Sequence, residues 1–400
     1  LNRTGFRRGA RLAYAEAAKV QPSNPIVHVN LGNTFLDTNE LETARAHFEA
    51  ALRSAPNQPE AHQGLSYVFA RLGDEAAAAP HRELGFRDRA IAVFPYRGQV
   101  APKRALLLVS ASGGNVFTTD FLDDRVYATT RIFCEYLPET EPLPPHDIVF
   151  NAIGDAERCA DALAKAASML ERSSAPVVNA PAKVARTGRV AVMDLIRGID
   201  GLRVPRVSKE ARARAGAGLT CFPVLVRAPG YHTGMHFLRV DDAEDLAGAL
   251  ATLPDGDVLR IEYLDARGDD GLYRKYRVML VDGRLYPLHL AIGTDWKVHY
   301  FTSAMAGDPE HQEEERAFLG DMEGVLGTRA ITALREIQQR LGLDYAGVDF
   351  GLDAAGNVLL FEANATMVVP SREVNPELAY RVPHFERVIE AVRLMLRRKL

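Results

Sequence analysis

Asp349, Glu362 and Asn364 are the residues whose types and spacing point most directly to chemistry. They lie in two strand-like runs, residues 346–353 and 358–365, joined by a short turn of Ala, Gly and Asn, which is a hairpin pattern. A symmetric turn that pairs Asp353 with Val358 places Asp349 directly opposite Glu362. Asn364 then falls two residues along on the same face, and Val348, Phe350, Phe361 and Ala363 on the other face form core. Two carboxylates opposed across a ladder repel each other unless a cation sits between them. Hard oxygen donors of this kind, with an amide oxygen beside them, suit Mg2+ bridging nucleotide phosphates. An accidental surface pair is the alternative. The apolar flanks argue against it, because an unpaired buried carboxylate is costly.

Four further motifs precede these residues. They are Phe222-Pro-Val-Leu-Val-Arg227, the glycine stretch from Gly230 through His232 to Gly234, the run Asp257-Val-Leu-Arg-Ile-Glu262-Tyr263-Leu264, and Tyr276-Arg277-Val-Met-Leu-Val-Asp-Gly283. Taken in this order with Asp349 and Glu362-Ala-Asn364, they resemble the ATP-grasp superfamily, which includes D-alanine–D-alanine ligase, glutathione synthetase and the RimK-type glutamate ligases. The resemblance runs through residues 103–400. It implies that Asp349, Glu362 and Asn364 hold Mg2+. It implies that Arg189 and Arg227 bind phosphate, and that Gly230, His232 and Gly234 form a flexible loop over it. Backbone groups around Glu262, Tyr263 and Leu264 would read the adenine edge, and Arg277 would hold the transferred phosphate. The family usually has lysine where Arg227 and Arg189 stand. Both changes keep the charge, and arginine grips phosphate through two parallel bonds. The implied activity is an ATP-dependent ligase joining a carboxylate to an amine (or thiol) through an acyl phosphate, on an amino acid or peptide. A phosphotransferase on the same fold and a catalytically weakened repeat scaffold are the alternatives.

Contacts to the joined substrates are less legible. Asn115 and Asn151, with Ser112, follow strand-like runs at the carboxyl ends where open α/β sheets bind ligands, although Gly and Asn also make plain turns there. Trp296 and Lys297, near His289 and His299, have side chains able to hold a carboxylate or phosphate. An alternating strand is the other reading of that stretch. The acidic run 308–315 reads as a solvated helix start, and residues 385–396 as a helix with an apolar stripe packed into core.

These residues need a scaffold, and the sequence describes three parts of one. Residues 104–110, 147–150 and 175–178 are continuous apolar runs typical of strands buried on both faces. The first hundred residues repeat with a step of 34: Pro22 recurs at Pro56, and Ala10 at Ala44 and Ala78. Leu31, Gly32, Phe35, Ala44, Phe48, Ala51 and Pro56 resemble the tetratricopeptide pattern, a helix–turn–helix of that length. The next unit is degenerate, with Arg82 and Gly85 where bulk and Ala are expected. Such arrays bind a peptide or partner protein, packing or dimerisation being the alternative. Residues 1–23 read as the second helix of an earlier repeat, so an N-terminal portion is expected to be missing. The expected organisation is a multidomain α and α/β chain: tetratricopeptide repeats over 1–97, a pre-ATP-grasp α/β domain over 98–185, and an ATP-grasp α+β fold over 186–400.

Composition narrows the function. The 400 residues carry 48 basic and 52 acidic side chains, a formal charge of −4, which argues against a nucleic-acid partner. Only 8 of the basic residues are lysine. Cys134, Cys159 and Cys221 form neither a disulfide framework nor a metal spacing and suit a reducing, cytoplasmic compartment. No apolar run is long enough to span a membrane, and the charged first twenty residues are unlike a signal peptide.

Overall fold

The computed structural model describes residues 7–231, 234–298, 303, 305–370 and 375–400. Two compact units result, one of Leu1–Ala92, Val109–Gly113 and Arg131–Pro142, the other of Val93–Leu108, Gly114–Thr130 and Leu143–Leu400.

The first unit is led by helices α1 (Arg7–Val20), α2 (Pro25–Asp37), α3 (Leu41–Ser54), α4 (Pro59–Leu72) and α5 (Glu75–Phe86). Pro25 and Pro59 open α2 and α4, where a missing N–H costs nothing. Asn24 caps α2 by accepting from the backbone of Ile26 at 3.0 Å, and Asp74 caps α5 through Ala77 at 2.9 Å. Phe48 is the hub: Ala44, Leu65 and Val68 are buried with it, and Gly32 and Gly64 lie flat against its ring. The degenerate last repeat still closes as a helical hairpin. Its Gly85 comes so near the backbone of Gln63 that an added methyl would sit 2.8 Å from that nitrogen.

The chain then forms β1 (Ile91–Val93), β2 (Lys103–Val109), β3 (Tyr127–Phe133), β4 (Ile148–Asn151) and β5 (Val177–Val178), in sheet order β1-β3-β2-β4-β5. β2, β4 and β5 are parallel, as their uninterrupted apolar sequences require. Helix α6 (Ala160–Leu170) separates β4 from β5, and α7 (Pro181–Val184) and α8 (Arg189–Ile196) follow.

Two sheets carry the remaining motifs, antiparallel throughout except for one parallel strand pair at an edge. After β6 (Leu202–Arg203), strands β7 (Val207–Ala211), β8 (Val224–Arg227), β9 (Phe237–Val240) and β10 (Asp257–Glu262) form a sheet ordered β7-β10-β8-β9, with α9 (Leu246–Ala251) on it. Val224, Val226, Val240 and Val258 make its core. The larger sheet takes β11 (Tyr273–Val281), β12 (Arg284–Gly293), β13 (Tyr345–Leu352) and β14 (Val358–Asn364) in the order β12-β11-β13-β14-β6, with β6 parallel to β14. Helices α10 (Pro309–Gly320), α11 (Met322–Leu341) and α12 (Val382–Lys399) complete this region. The buried stripe of α12, including Phe385, Val388, Val392 and Met395, is the one its periodicity calls for.

Two expectations need correction. The acidic run is not wholly solvated, because Glu315 is fully buried. Its carboxylate accepts from the Leu290 backbone at 3.0 Å and from Arg381 Nε at 2.8 Å, an ion pair that ties α10 to β12 and to the start of α12. Phe361 is not core. Asp349 pairs with Glu362 but Phe350 pairs with Leu360, which leaves Phe361 as the extra residue of a β-bulge. It is half-buried and packs with Leu264, Ala266 and Leu359.

Candidate functional site

A row of four side chains crosses the larger sheet. His289, Arg277, Asp349 and Glu362 are successive cross-strand partners on β12, β11, β13 and β14. Arg277 donates Nε to Asp349 Oδ1 at 2.5 Å and Nη2 to Oδ2 at 2.7 Å. Lys275, two residues along β11 and so on the same face, brings Nζ to 3.3 Å from Asp349 Oδ2. Burial alone would raise the Asp349 carboxyl, but Arg277 and Lys275 outweigh it and hold the group below the usual carboxylate range. Glu362 follows the same logic: burial pushes it up, while Arg189, with Arg227 and Arg277, brings it down on balance. His289 is buried beside these cations, and burial keeps its imidazole neutral well below the ordinary value.

The second sheet and α8 supply the facing wall. Arg189 begins α8, its backbone N–H bonded to Glu157 Oε1 at 2.8 Å and its Nη1 3.2 Å from Glu362 Oε1. Arg227 ends β8, 8% exposed, with its guanidinium 5.2 Å above the Phe237 ring and a bond to the Tyr231 carbonyl. Burial, reinforced by Arg189, pulls it down to about 10. Gly230 and Gly234 both have φ near 75–80°, a left-handed turn that glycine adopts without strain. The Gly230 carbonyl accepts from Arg158 at 3.1 Å, and Lys297 reaches the Gly234 and Phe237 carbonyls at 3.4 and 3.3 Å. Trp296 meets Phe237 edge-on at 5.1 Å. His232 and His299 lie outside the described residues.

Between these walls is a cleft that opens to solvent, with about 1160 Å³ of space including its mouth. Arg189, Arg227, Lys275, Arg277 and Lys297 line it with Asp349 and Glu362, so cations outnumber carboxylates there. Apolar side chains share the lining, among them Leu225, Ile261 and the packed cluster of Leu264, Ala266 and Phe361, together with Arg274, Glu262 and Tyr263. The Glu262 carboxylate accepts from the Arg206 backbone at 3.0 Å, and the Tyr263 hydroxyl lies 3.2 Å from that of Tyr273. A smaller cavity of about 350 Å³ shares Arg189 and Glu362 with the cleft and adds Gly154, Asp155, Glu157, Gly230 and Asn364. Asn364 Oδ1 accepts from the Thr366 backbone at 2.9 Å and from its hydroxyl at 2.8 Å. A cleft lined by both cations and an apolar cluster favours an anion that also carries an apolar group.

Asn115 and Asn151 stand apart from both cavities. Asn151 is 1% exposed and closes a turn, donating to the Asn179 carbonyl at 2.8 Å and accepting from Ile153 N at 3.1 Å. Asn115 forms a backbone bridge to Ile153. Both follow buried strands, as expected, but the residues that open onto a cavity there are Gly154, Asp155 and Glu157 further along the same loop. Lys275 was missed although its signal was present, a second basic residue at period two from Arg277. Phe361 had none, because a bulge leaves no mark in this stretch.

Whether these residues suit Mg2+ rests on their donors. Among the described residues no group of three or more His, Cys, Asp or Glu side chains is arranged to hold a metal. The candidate set is instead two carboxylates kept ionised by guanidinium partners, with an amide oxygen two residues beyond the second. Those are hard oxygen donors, and they fit.

Residues 3–59 and 29–81 match the tetratricopeptide repeat family, so the N-terminal helices are tetratricopeptide repeats. No curated protein matches the chain by sequence. Among solved structures, the chain is similar to the VanG D-Ala:D-Ser ligase from Enterococcus faecalis, at 14% identity and a TM-score of 0.43, covering 73% of this chain and 100% of that one. An ATP-grasp RimK domain protein from Sphaerobacter thermophilus DSM 20745 is 16% identical, with a TM-score of 0.43 and coverage of 73% and 97%. D-alanyl-alanine synthetase A from Vibrio cholerae O1 biovar eltor is 14% identical, with a TM-score of 0.44 and coverage of 75% and 100%. Among the described residues, no helix is long and apolar enough to cross a membrane.

Proposed function

We propose that the chain is an ATP-dependent ligase of the ATP-grasp type that joins a carboxylate to an amine, with an amino acid or peptide among its substrates. One observation carries this reading. Asp349 and Glu362 oppose each other across a strand ladder inside a cleft whose other polar side chains are mostly Arg and Lys, and which is also lined by an apolar cluster of Leu264, Ala266 and Phe361. The cations match a triphosphate, and the apolar cluster of Leu264, Ala266 and Phe361 matches a purine. Residues 98–185 would form the substrate-side α/β domain and 186–400 the nucleotide-binding fold.

Mg2+, held by Asp349, Glu362 and Asn364, supplies neutralisation of phosphate charge when bound. The protein's own groups do the rest. Arg189, Arg227 and Lys297 grip phosphate oxygens and orient the γ-phosphoryl group toward the substrate carboxylate. Transfer forms the new P–O bond as the bond to the ADP oxygen breaks. Arg277 then faces the charge on the acyl phosphate until the amine nitrogen attacks the acyl carbon: the C–N bond forms as the acyl C–O bond breaks, phosphate leaves with the former carboxylate oxygen, and the nitrogen gives up a proton. Gly230 and Gly234, which border the two cavities, would help exclude water from that hydrolysable species. The tetratricopeptide repeats would recruit a peptide or protein that carries one substrate.

The test is incubation with ATP, Mg2+ and pools of amino acids and peptides, followed by phosphate release and mass spectrometry. A condensed product with ADP and phosphate supports the ligase. A phosphorylated product would make the protein a phosphotransferase, and absence of both nucleotide binding and turnover would leave a repeat scaffold.

A further inference from the structure

The 34-residue step that sets the helical repeats also repeats a polar column inside them. His28 on α2 and His47 on α3 face each other with their Nδ1 atoms 3.1 Å apart, and His28 Nε2 lies 2.8 Å from the Pro22 carbonyl oxygen. One repeat later, His62 on α4 and His81 on α5 form the same pair at 2.8 Å, with His62 Nε2 3.0 Å from the Pro56 carbonyl. His47 stacks on Phe35 with ring centroids 5.3 Å apart, and His81 on Phe69 at 5.6 Å. Arg11 covers the first phenylalanine at 3.8 Å and Arg45 the second at 5.1 Å. Five positions therefore recur in register.

The tautomers follow from the partners. A carbonyl oxygen only accepts, so Nε2 of His28 and of His62 carries the hydrogen, and Nδ1 of the neutral ring is a bare acceptor. Nδ1 of His47 and of His81 must then donate, which leaves their Nε2 atoms bare. A first proton binds that Nε2 and keeps the ring-to-ring bond. A second proton has only Nδ1 of His28 or His62 to bind, where it meets the N–H opposite and sets two imidazolium charges against each other.

We propose that the two pairs are acid-labile clasps between the helices of each repeat, each tolerating one proton and opened by the second. The surroundings weigh the same way. Burial, then His28, pulls His47 below its ordinary value, and burial, then His62, does so for His81, with Glu49 of α3 partly offsetting. Arg11 from α1 is paired with Glu40 at 2.7 Å, and Arg45 from α3 with Glu49 at 2.7 Å. The sign follows from the withheld second proton. Histidines of the unfolded chain titrate near about pH 6.5, so a folded pair that accepts only one proton binds fewer below that pH and stability falls with acid. With one proton withheld per pair, the unfolding constant of the repeats rises about 100-fold per pH unit below about pH 6.

The experiment uses the full chain, with imidazole 15N shifts for tautomers and proton uptake, and amide hydrogen exchange in residues 25–86 for helix opening. An asparagine amide puts a polar atom about where Nδ1 stood. His28→Asn with His62→Asn supplies an acceptor that takes no proton, so acid opening is lost. His47→Lys with His81→Lys offers donors alone to the protonatable acceptors of His28 and His62, so acid opening stays. Equal acid sensitivity in the two double variants overturns the proposal, as do reversed tautomers or uptake of two protons per pair with the helices still closed. If a double variant does not fold at neutral pH, tautomers and proton count in the unmodified chain decide the matter alone.

Discussion

Arg277 and Asp349 are direct cross-strand partners whose side chains meet through two parallel hydrogen bonds, with Lys275 as a second cation on the same carboxylate. Charge is thus balanced inside a site where any one group left alone would be costly. On the proposed reading, Asp349 would share its oxygens between Arg277 and a divalent cation, and Arg277 would also face phosphate.

Asp349→Asn tests both halves of that relationship. The amide keeps the shape but leaves Arg277 and Lys275 without their countercharge, a loss of order 3–5 kcal/mol for a broken buried pair. Urea unfolding at neutral pH measures it. Because the folded carboxyl sits below the unfolded value, its contribution is present above about pH 4 and disappears as the pH falls through the folded value. The stability gap between the unmodified chain and the variant therefore closes in acid. A thermal shift with Mg-ATP in the unmodified chain should vanish in the variant; an undiminished shift would remove Asp349 from the metal set.

Arg227→Lys separates composition from chemistry. Only 8 of 48 basic residues are lysine, so an arginine here is unremarkable by count. Its environment is specific, however: a planar group above Phe237, bonded to the Tyr231 carbonyl, with a buried Nε that has no hydrogen-bond partner among the described residues. Lysine loses the stacking and the paired donors, worth about 1–2 kcal/mol together. The expected result is roughly ten-fold weaker ATP binding by calorimetry. Unchanged affinity would mean that charge alone matters.

Phe361 shows where sequence reading reached its limit. Pairing of Asp349 with Glu362 was legible from period two and the turn residues, but two departures cancelled to give it. The turn spans residues 353–357, one longer than a symmetric one, and the bulge at Phe361 restores the register. Nothing local encodes that bulge, which swings an aromatic ring from core to cleft. The pairing of Arg277 with Asp349 joins strands 72 residues apart, and burial of Glu315 depends on Arg381, 66 residues away. By contrast, the parallel strands and the helical repeats are written in continuous runs and a fixed step, so they were readable.

The re-aimed ring makes its own prediction. A half-buried Phe361 contributes more to a bound purine than to the fold. Phe361→Ala should raise the KM for ATP about ten-fold, the order of one lost aromatic contact, with kcat nearly unchanged. Thermal unfolding of the apo protein should shift by far less than for a core phenylalanine, whose truncation costs about 3–5 kcal/mol. A collapse in stability with no change in KM would return Phe361 to the core.

Gly64→Ala tests the repeats independently of any chemistry. In an open helix this change gains about 1 kcal/mol, because alanine is the better helix former. Gly64 is buried in α4, and a methyl there would lie 2.3 Å from the Phe48 ring. Phe48 cannot yield, since it is itself fully buried and also held by Gly32 from α2. The overpacking term of about 1–3 kcal/mol therefore exceeds the propensity gain, and the variant should be destabilised. Pairing it with Phe48→Leu should recover part of the loss, because the smaller side chain leaves room for the methyl. Urea unfolding of the two single variants and the double gives the coupling; purely additive effects would mean that Gly64 and Phe48 do not share the space the structure assigns them.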